Sequence, residues 1–90
     1  MSTSTGRGRI LLAEDDAGLR RSYVRLLKRA GFEVEDVEDG ASAAWQLRGD
    51  RFDALLSDIS MPGVDGMELL KLAREADEEL PIVLMTAQPT

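Results

Sequence analysis

Two acidic stretches carry most of the chemistry available to this chain. "ILLAEDD" leaves Glu14, Asp15 and Asp16 after an apolar run, and "LLSDISMPGVDG" leaves Asp58 after another, ahead of a Pro-Gly turn and a second Asp-Gly. A third run, "PIVLMTA", ends at the hydroxyl of Thr86. The sequence contains no Cys and no His, which removes thiolate catalysis, cysteine zinc sites and the usual general base. Chemistry must therefore run on carboxylates, hydroxyls, Lys and Arg. Carboxylates brought together repel one another and stay ionised only where a cation compensates them. Mg²⁺ suits such a place, because it takes oxygen ligands in an octahedron and keeps several of its waters. The carbonyl of Ser60, in the loop after Asp58, is a further candidate oxygen. A carboxylate beside Mg²⁺ can also act as a nucleophile toward phosphorus, forming an acyl phosphate.

The elements around these residues explain how they would meet. "RILLAE" is a short apolar run suited to a strand buried on both faces. "DDAGLRRSYVRLLKRAG" follows with Leu19, Tyr23, Leu26, Leu27 and Ala30 at helical intervals and Gly31 where a C-terminal cap belongs. "FEVEDV" alternates as a second strand, and "ASAAWQLRG" is a short helix closed by Gly49. "FDALLSD" is the third strand. "DGMELLKLAREAD" is the third helix, with Met67, Leu70 and Ala73 or Arg74 setting its faces, and "LPIVLMTA" is the fourth strand. The order β-α-β-α-β-α-β, with apolar strands, predicts an α/β fold in which helices cover both faces of a parallel sheet. In open sheets of this kind function gathers at the carboxyl ends of the strands. Glu14, Asp15, Asp16, Asp58 and Thr86 all stand at such ends.

Composition narrows the class. A chain of 90 residues with 43% hydrophobic and 31% charged residues reads as one small globular domain. Its net charge of −6 disfavours a nucleic-acid partner. The opening "MSTSTGRGR" lacks the apolar core of a signal peptide, and no segment approaches membrane-spanning length. A cytoplasmic location is expected, with residues 1–8 as a disordered tail.

The acidic cluster after the first strand, "SDISMPGVDG" after the third and "VLMTA" at the end of the fourth run in the order found in receiver domains of two-component response regulators, which residues 9–90 resemble. The resemblance implies a CheY-like, flavodoxin-like sheet with strand order 2-1-3-4-5. It implies Asp58 as phosphoacceptor, Asp15 as a direct Mg²⁺ ligand, Glu14 acting through water, Ser60 ligating through its carbonyl, and Thr86 as the switch hydroxyl. It implies a sensor histidine kinase or phosphotransfer protein as phosphoryl donor, and a downstream output domain. Receivers normally continue through a further helix, a strand bearing a phosphoryl-contacting lysine, and a last helix; these are not in the 90 residues. Residues 9–90 are thus expected to be a partial receiver, truncated after the fourth strand. The exposed fourth strand is expected to make it self-associate, as a dimer or by exchange of elements.

Simpler readings stand beside these. Asp15 or Asp16 could cap the first helix, Asp58 could be a turn former before Pro62 and Gly63, and Thr86 a hydroxyl bonded to nearby backbone. Asp16 also leaves the acidic pair ambiguous by one residue; Glu14 and Asp15 are preferred because Leu19 then becomes the first inward residue of the helix. Trp45 reads as helix packing. The basic face of Arg20, Arg21, Arg25, Lys28 and Arg29 reads as solvated, or as a dock for an acidic partner. An EF-hand fails on the order of Pro62 and Gly63 and on the missing closing Glu, and "GRGR" precedes the strand that a dinucleotide loop must follow. Two other functions remain: a Mg²⁺-dependent phosphohydrolase with Asp58 as nucleophile, for which Ser60 stands where a leaving-group acid is wanted, and a structural receiver fragment that is not phosphorylated and mediates dimerisation.

Overall fold

The computed structural model describes residues 7–61 and 63–85. Its elements are β1 (Arg9–Ala13), α1 (Ala17–Arg29), β2 (Glu33–Val37), α2 (Gly40–Gly49), β3 (Ala54–Asp58), α3 (Gly66–Ala76) and β4 (Ile82–Met85). All pairings are parallel and the sheet order is β2-β1-β3-β4. The alternating order expected from the sequence is present, with the strands trimmed by a residue or two. Phe32, Phe52 and Leu80 lie outside the strands.

The chain moves from β1 to β2 on one side and then returns to add β3 on the other. With right-handed crossovers this sends α1 to one face of the sheet and α2 and α3 to the opposite one. The main core lies on the α2/α3 side, where Leu11, Ala13 and Leu55 of the sheet meet Ala43, Leu69 and Ala73. Alternation along β1 turns Ile10 and Leu12 to the other face, and both are buried.

Four expectations change: Trp45, read as helix packing, is 73% exposed, and the others concern α3, α1 and β2. The inward face of α3 is Gly66, Leu69 and Ala73, whereas Met67 is 56% exposed; buried positions three and four apart make a stripe that Met67 misses by one. In α1 no residue is fully buried, and Leu26 is 62% exposed while Leu19, Tyr23 and Leu27 are half-buried. Strand β2 is not apolar throughout: it is an edge strand, EVEDV, with Glu33 and Asp36 exposed, and an edge strand covered mainly by one helix needs few apolar residues.

Each helix begins on an aspartate. Asp16, Asp39 and Asp65 accept from the backbone N–H of Leu19, Ser42 and Glu68 respectively, satisfying donors that the first turn of a helix leaves free. Gly31, φ 100°, follows the Ala30 C-cap of α1 in the left-handed region where glycine is favoured.

Candidate functional site

The acidic residues meet because of strand register. Ala13 pairs with Ser57, so the next rung sets Glu14 beside Asp58 at the carboxyl edge of β1 and β3. These are also the two strands between which the sheet order reverses, the crevice where ligands of open α/β sheets bind. One oxygen from each of Glu14, Asp15 and Asp58 lies within 4.8 Å of the others. Glu14 is 2% exposed and Asp58 5% exposed, while Asp15 faces solvent.

Backbone donors orient two of these groups. Glu14 Oε2 accepts from the N–H of Asp16 at 3.1 Å, and Asp58 Oδ1 accepts from the N–H of Ser60 at 3.2 Å. Burial pushes the Glu14 carboxyl above the usual carboxylate range; the Asp16 N–H partly opposes this, and neighbouring Asp58 and Asp15 add to the rise. Asp16 itself turns away from the cluster: its Oδ1 accepts from Leu19 N–H at 2.9 Å as the cap of α1. The capping reading therefore describes Asp16, and the pair that approaches Asp58 is Glu14 and Asp15.

The loop after Asp58 is tied down on two sides. The N–H of Ile59 donates to the carbonyl of Met85 at 2.8 Å, extending the β3–β4 ladder by one residue, and the N–H of Gly66 donates to the carbonyl of Ile59 at 2.9 Å. A Cβ at Gly66 would stand 2.6 Å from the Asp58 carbonyl oxygen and 2.7 Å from Ile59 Cα, so glycine is what lets α3 start against the loop. Gly40, at the start of α2, abuts the Val64 carbonyl in the same way. The recorded contact of Ser60 is through its N–H. Thr86 lies outside the described residues.

Sequence reading missed Arg20, which it assigned to a solvated face. Its Nη1 donates to the Glu14 carbonyl at 2.8 Å, and its Nε lies 3.2 Å from Asp36 Oδ2. The available signal was spacing, since a helical side chain leans toward the N-terminus and Arg20 stands one turn past the cap. A cavity of about 510 Å³ lies at the other end of the strands, bounded by Arg9, Asp50, Phe52, Asp53, Asp77 and Leu80. Two of its charges pair: Arg9 contacts Asp50 at 2.8 Å and stacks 4.6 Å from the Phe52 ring centre, and the backbone N–H of Arg9 donates to Asp53 at 2.7 Å.

The donor set at the carboxyl edge consists of oxygens from carboxylates, two of them buried, with one carboxyl already raised by its surroundings. Such a set fits a hard divalent cation, which would relieve the repulsion and leave room for waters. It offers no soft ligand for a thiophilic metal.

Comparison with known proteins agrees with this arrangement. The family profile described as "Response regulator receiver domain" matches residues 10–90. The chain is 47% identical over 78 residues to the response regulator receiver protein CpdR of Brucella abortus, covering 87% of this chain and 65% of that protein. It is 40% identical over 80 residues to the response regulator MprA of Mycobacterium avium, covering 89% of this chain and 35% of that one. The chain thus spans just under two thirds of one relative and about a third of the other. Among solved structures, the chemotaxis protein CheY4 of Vibrio cholerae superposes with a TM-score of 0.86 at 30% identity, covering 94% of this chain and 72% of that one. The response regulator TrrA of Thermotoga maritima, in complex with Mg²⁺-BeF, gives 0.85 at 30% identity, covering 89% and 70%. Both share the parallel, CheY-like α/β fold. With nine-tenths of its length inside the family profile and its acidic cluster at the sheet's switch point, the chain belongs to the response regulator receiver domain family.

Proposed function

We propose that this receiver takes a phosphoryl group on Asp58 in a Mg²⁺-dependent reaction, as a step in two-component signal transduction. The observation that carries this reading is the approach of Glu14, Asp15 and Asp58 to within 4.8 Å of one another at the carboxyl edge of the sheet. Asp15, exposed at the mouth, and Asp58 would hold the ion directly; buried Glu14 would act through a water, and the Ser60 carbonyl is a further candidate. When bound, Mg²⁺ would neutralise charge on the phosphoryl oxygens.

The chain's own residues supply the rest. The Ser60 N–H fixes one carboxylate oxygen of Asp58, and its tied loop holds the group in line for attack. A bond forms between an Asp58 oxygen and phosphorus as the donor's bond to phosphorus breaks. A phosphohistidine of a sensor kinase or phosphotransfer protein is a donor of the right class, because its P–N bond is labile and its imidazole leaves readily. Thr86, which follows β4, would be the switch hydroxyl. On this reading residues 9–90 bear the phosphoacceptor of a receiver, and an output domain reads the change. A cytoplasmic location suits a kinase partner. Among the described residues no helix is long and apolar enough to cross a membrane.

Turnover of an external phosphate ester is the weaker alternative, since Ser60 is not an acid that could protonate a leaving group. The test is to incubate the protein with Mg²⁺ and acetyl phosphate. The expected product is an acid-stable, hydroxylamine-labile adduct that Asp58→Asn abolishes and chelation prevents. Labelling that persists in Asp58→Asn would remove Asp58 from this role, and sustained release of phosphate from aryl phosphates would favour the hydrolase.

A further inference from the structure

The turn carrying Glu14 and Asp15 is held by a side chain that the phosphoryl chemistry itself does not use. Arg20 reaches back over the turn: Nη1 donates to the Glu14 main-chain carbonyl at 2.8 Å, and Nε sits 3.2 Å from Asp36 Oδ2 on β2. Its side chain is 17% exposed, whereas Arg21, Arg25, Lys28 and Arg29 on the same helix are all exposed. One planar fork thus joins three elements: α1, which carries it, the end of β1 and the adjoining strand β2. The Glu14 N–H donates to Val37 at 3.1 Å on the same side, so the Glu14 peptide is anchored at both its donor and its acceptor.

We propose that Arg20 is a positioning residue for the metal pair. By fixing the Glu14 carbonyl it sets the path of the turn, and with it the direction in which the Glu14 and Asp15 carboxylates leave the backbone to meet Asp58. The inference rests on reading this cluster as a Mg²⁺ site. It makes a prediction opposite in sign to the simplest alternative, in which Arg20 matters only as a charge. A cation near the site repels Mg²⁺, so its loss would then tighten metal binding. A tether predicts weaker binding when the fork is lost, even if the charge remains. Lysine separates the two, because a single ammonium keeps the charge but does not reproduce the planar guanidinium's paired donors.

The experiment measures Mg²⁺ affinity by titration calorimetry for wild type, Arg20→Lys, Arg20→Ala and Asp36→Asn, together with the amide resonances of Asp15 and Asp16 in metal-free protein. Both Arg20 variants are expected to lose affinity by about 10-fold or more, the scale seen when groups that orient metal ligands are removed. The Asp15 and Asp16 amide signals are expected to shift, because the Asp16 N–H bond to Glu14 reports the turn's shape. Asp36→Asn, at an exposed edge-strand position, loses an anion and so weakens Mg²⁺ binding on either reading; should the Arg20 variants unfold, it carries the test through the Asp15 and Asp16 amides, which shift if the fork shapes the turn and stay in place if only charge matters. Wild-type affinity in Arg20→Lys with unmoved amides, or tighter binding in Arg20→Ala, overturns the proposal. Absence of Mg²⁺ binding in the wild type overturns the metal reading itself and the inference with it.

Discussion

At the scale of single residues, Glu14 sets the sign of the response to pH. Its carboxyl is raised chiefly by burial, so the group contributes stability that is fully present below its ordinary value near 4.5 and lost as pH rises through the raised value. Metal-free protein should therefore gain stability from this group as pH falls from 7 into the weakly acid range. Asp39 and Asp50 act in the opposite direction: the Ser42 N–H and Arg9 respectively hold them low, and their contributions are lost only as pH falls further, below the usual aspartate value. Glu14→Gln should raise the metal-free Tm at pH 7 by a few degrees and reduce the further rise that Mg²⁺ gives the wild type. Thermal melts with and without Mg²⁺ check both; an unchanged metal-free Tm would mean that the buried charge is not costly. Asp16 gives a sharper contrast. Asp16→Ala should cost about 1 kcal/mol, the usual value of an N-cap, while Asp16→Asn, which caps equally well, should leave both stability and Mg²⁺ affinity near wild type. A large loss of Mg²⁺ affinity in Asp16→Asn would return Asp16 to the metal set.

At the scale of elements, α3 starts where it does because Gly66 has no side chain. A Cβ there would press on the Asp58 carbonyl and Ile59 Cα, so Gly66→Ala should cost about 1–3 kcal/mol, as overpacking does. It should also slow labelling by acetyl phosphate beyond the effect of a core substitution outside α3 chosen for the same loss of stability. Equal labelling rates in the two would show that the loop does not depend on α3. The element order and the parallel sheet were legible in the sequence, because they follow from apolar runs, caps and strand ends; strand ends also brought Glu14, Asp15, Asp16 and Asp58 to one edge, and it took the resemblance to receivers, with the placing of Leu19, to prefer Glu14 and Asp15 as the pair. Helix faces were less legible. Leu26 fits the apolar spacing of α1 yet is 62% exposed, since periodicity says which residues share a face but not whether another element covers it. Arg20 was missed because its partners are a main-chain carbonyl six residues back and an aspartate on another strand. Neither leaves a mark in local composition.

At the scale of the whole molecule, β4 is an edge strand in the described sheet, and Val83 on it is 52% exposed. Unpaired strand edges with apolar side chains recruit further strands, and a chain of 90 residues has little stability to spare. We propose that the 90-residue polypeptide taken alone self-associates through β4, with Val83→Lys shifting it toward monomer, since charged residues blunt edges. Light scattering on wild type and variant checks this, and a stable wild-type monomer removes it. The net charge of −6 opposes association through acidic surfaces, so raised salt should strengthen whatever dimer forms.

The hydrogen bond from Ile59 to Met85 makes the two strands one lever. The peptide that follows Asp58 is fastened directly to the last described residue of β4, so the residue bearing that carboxylate is one peptide unit and one hydrogen bond from the neighbouring strand. Were Asp58 phosphorylated as proposed, a signal leaving by that route would have one peptide unit and one hydrogen bond to cross.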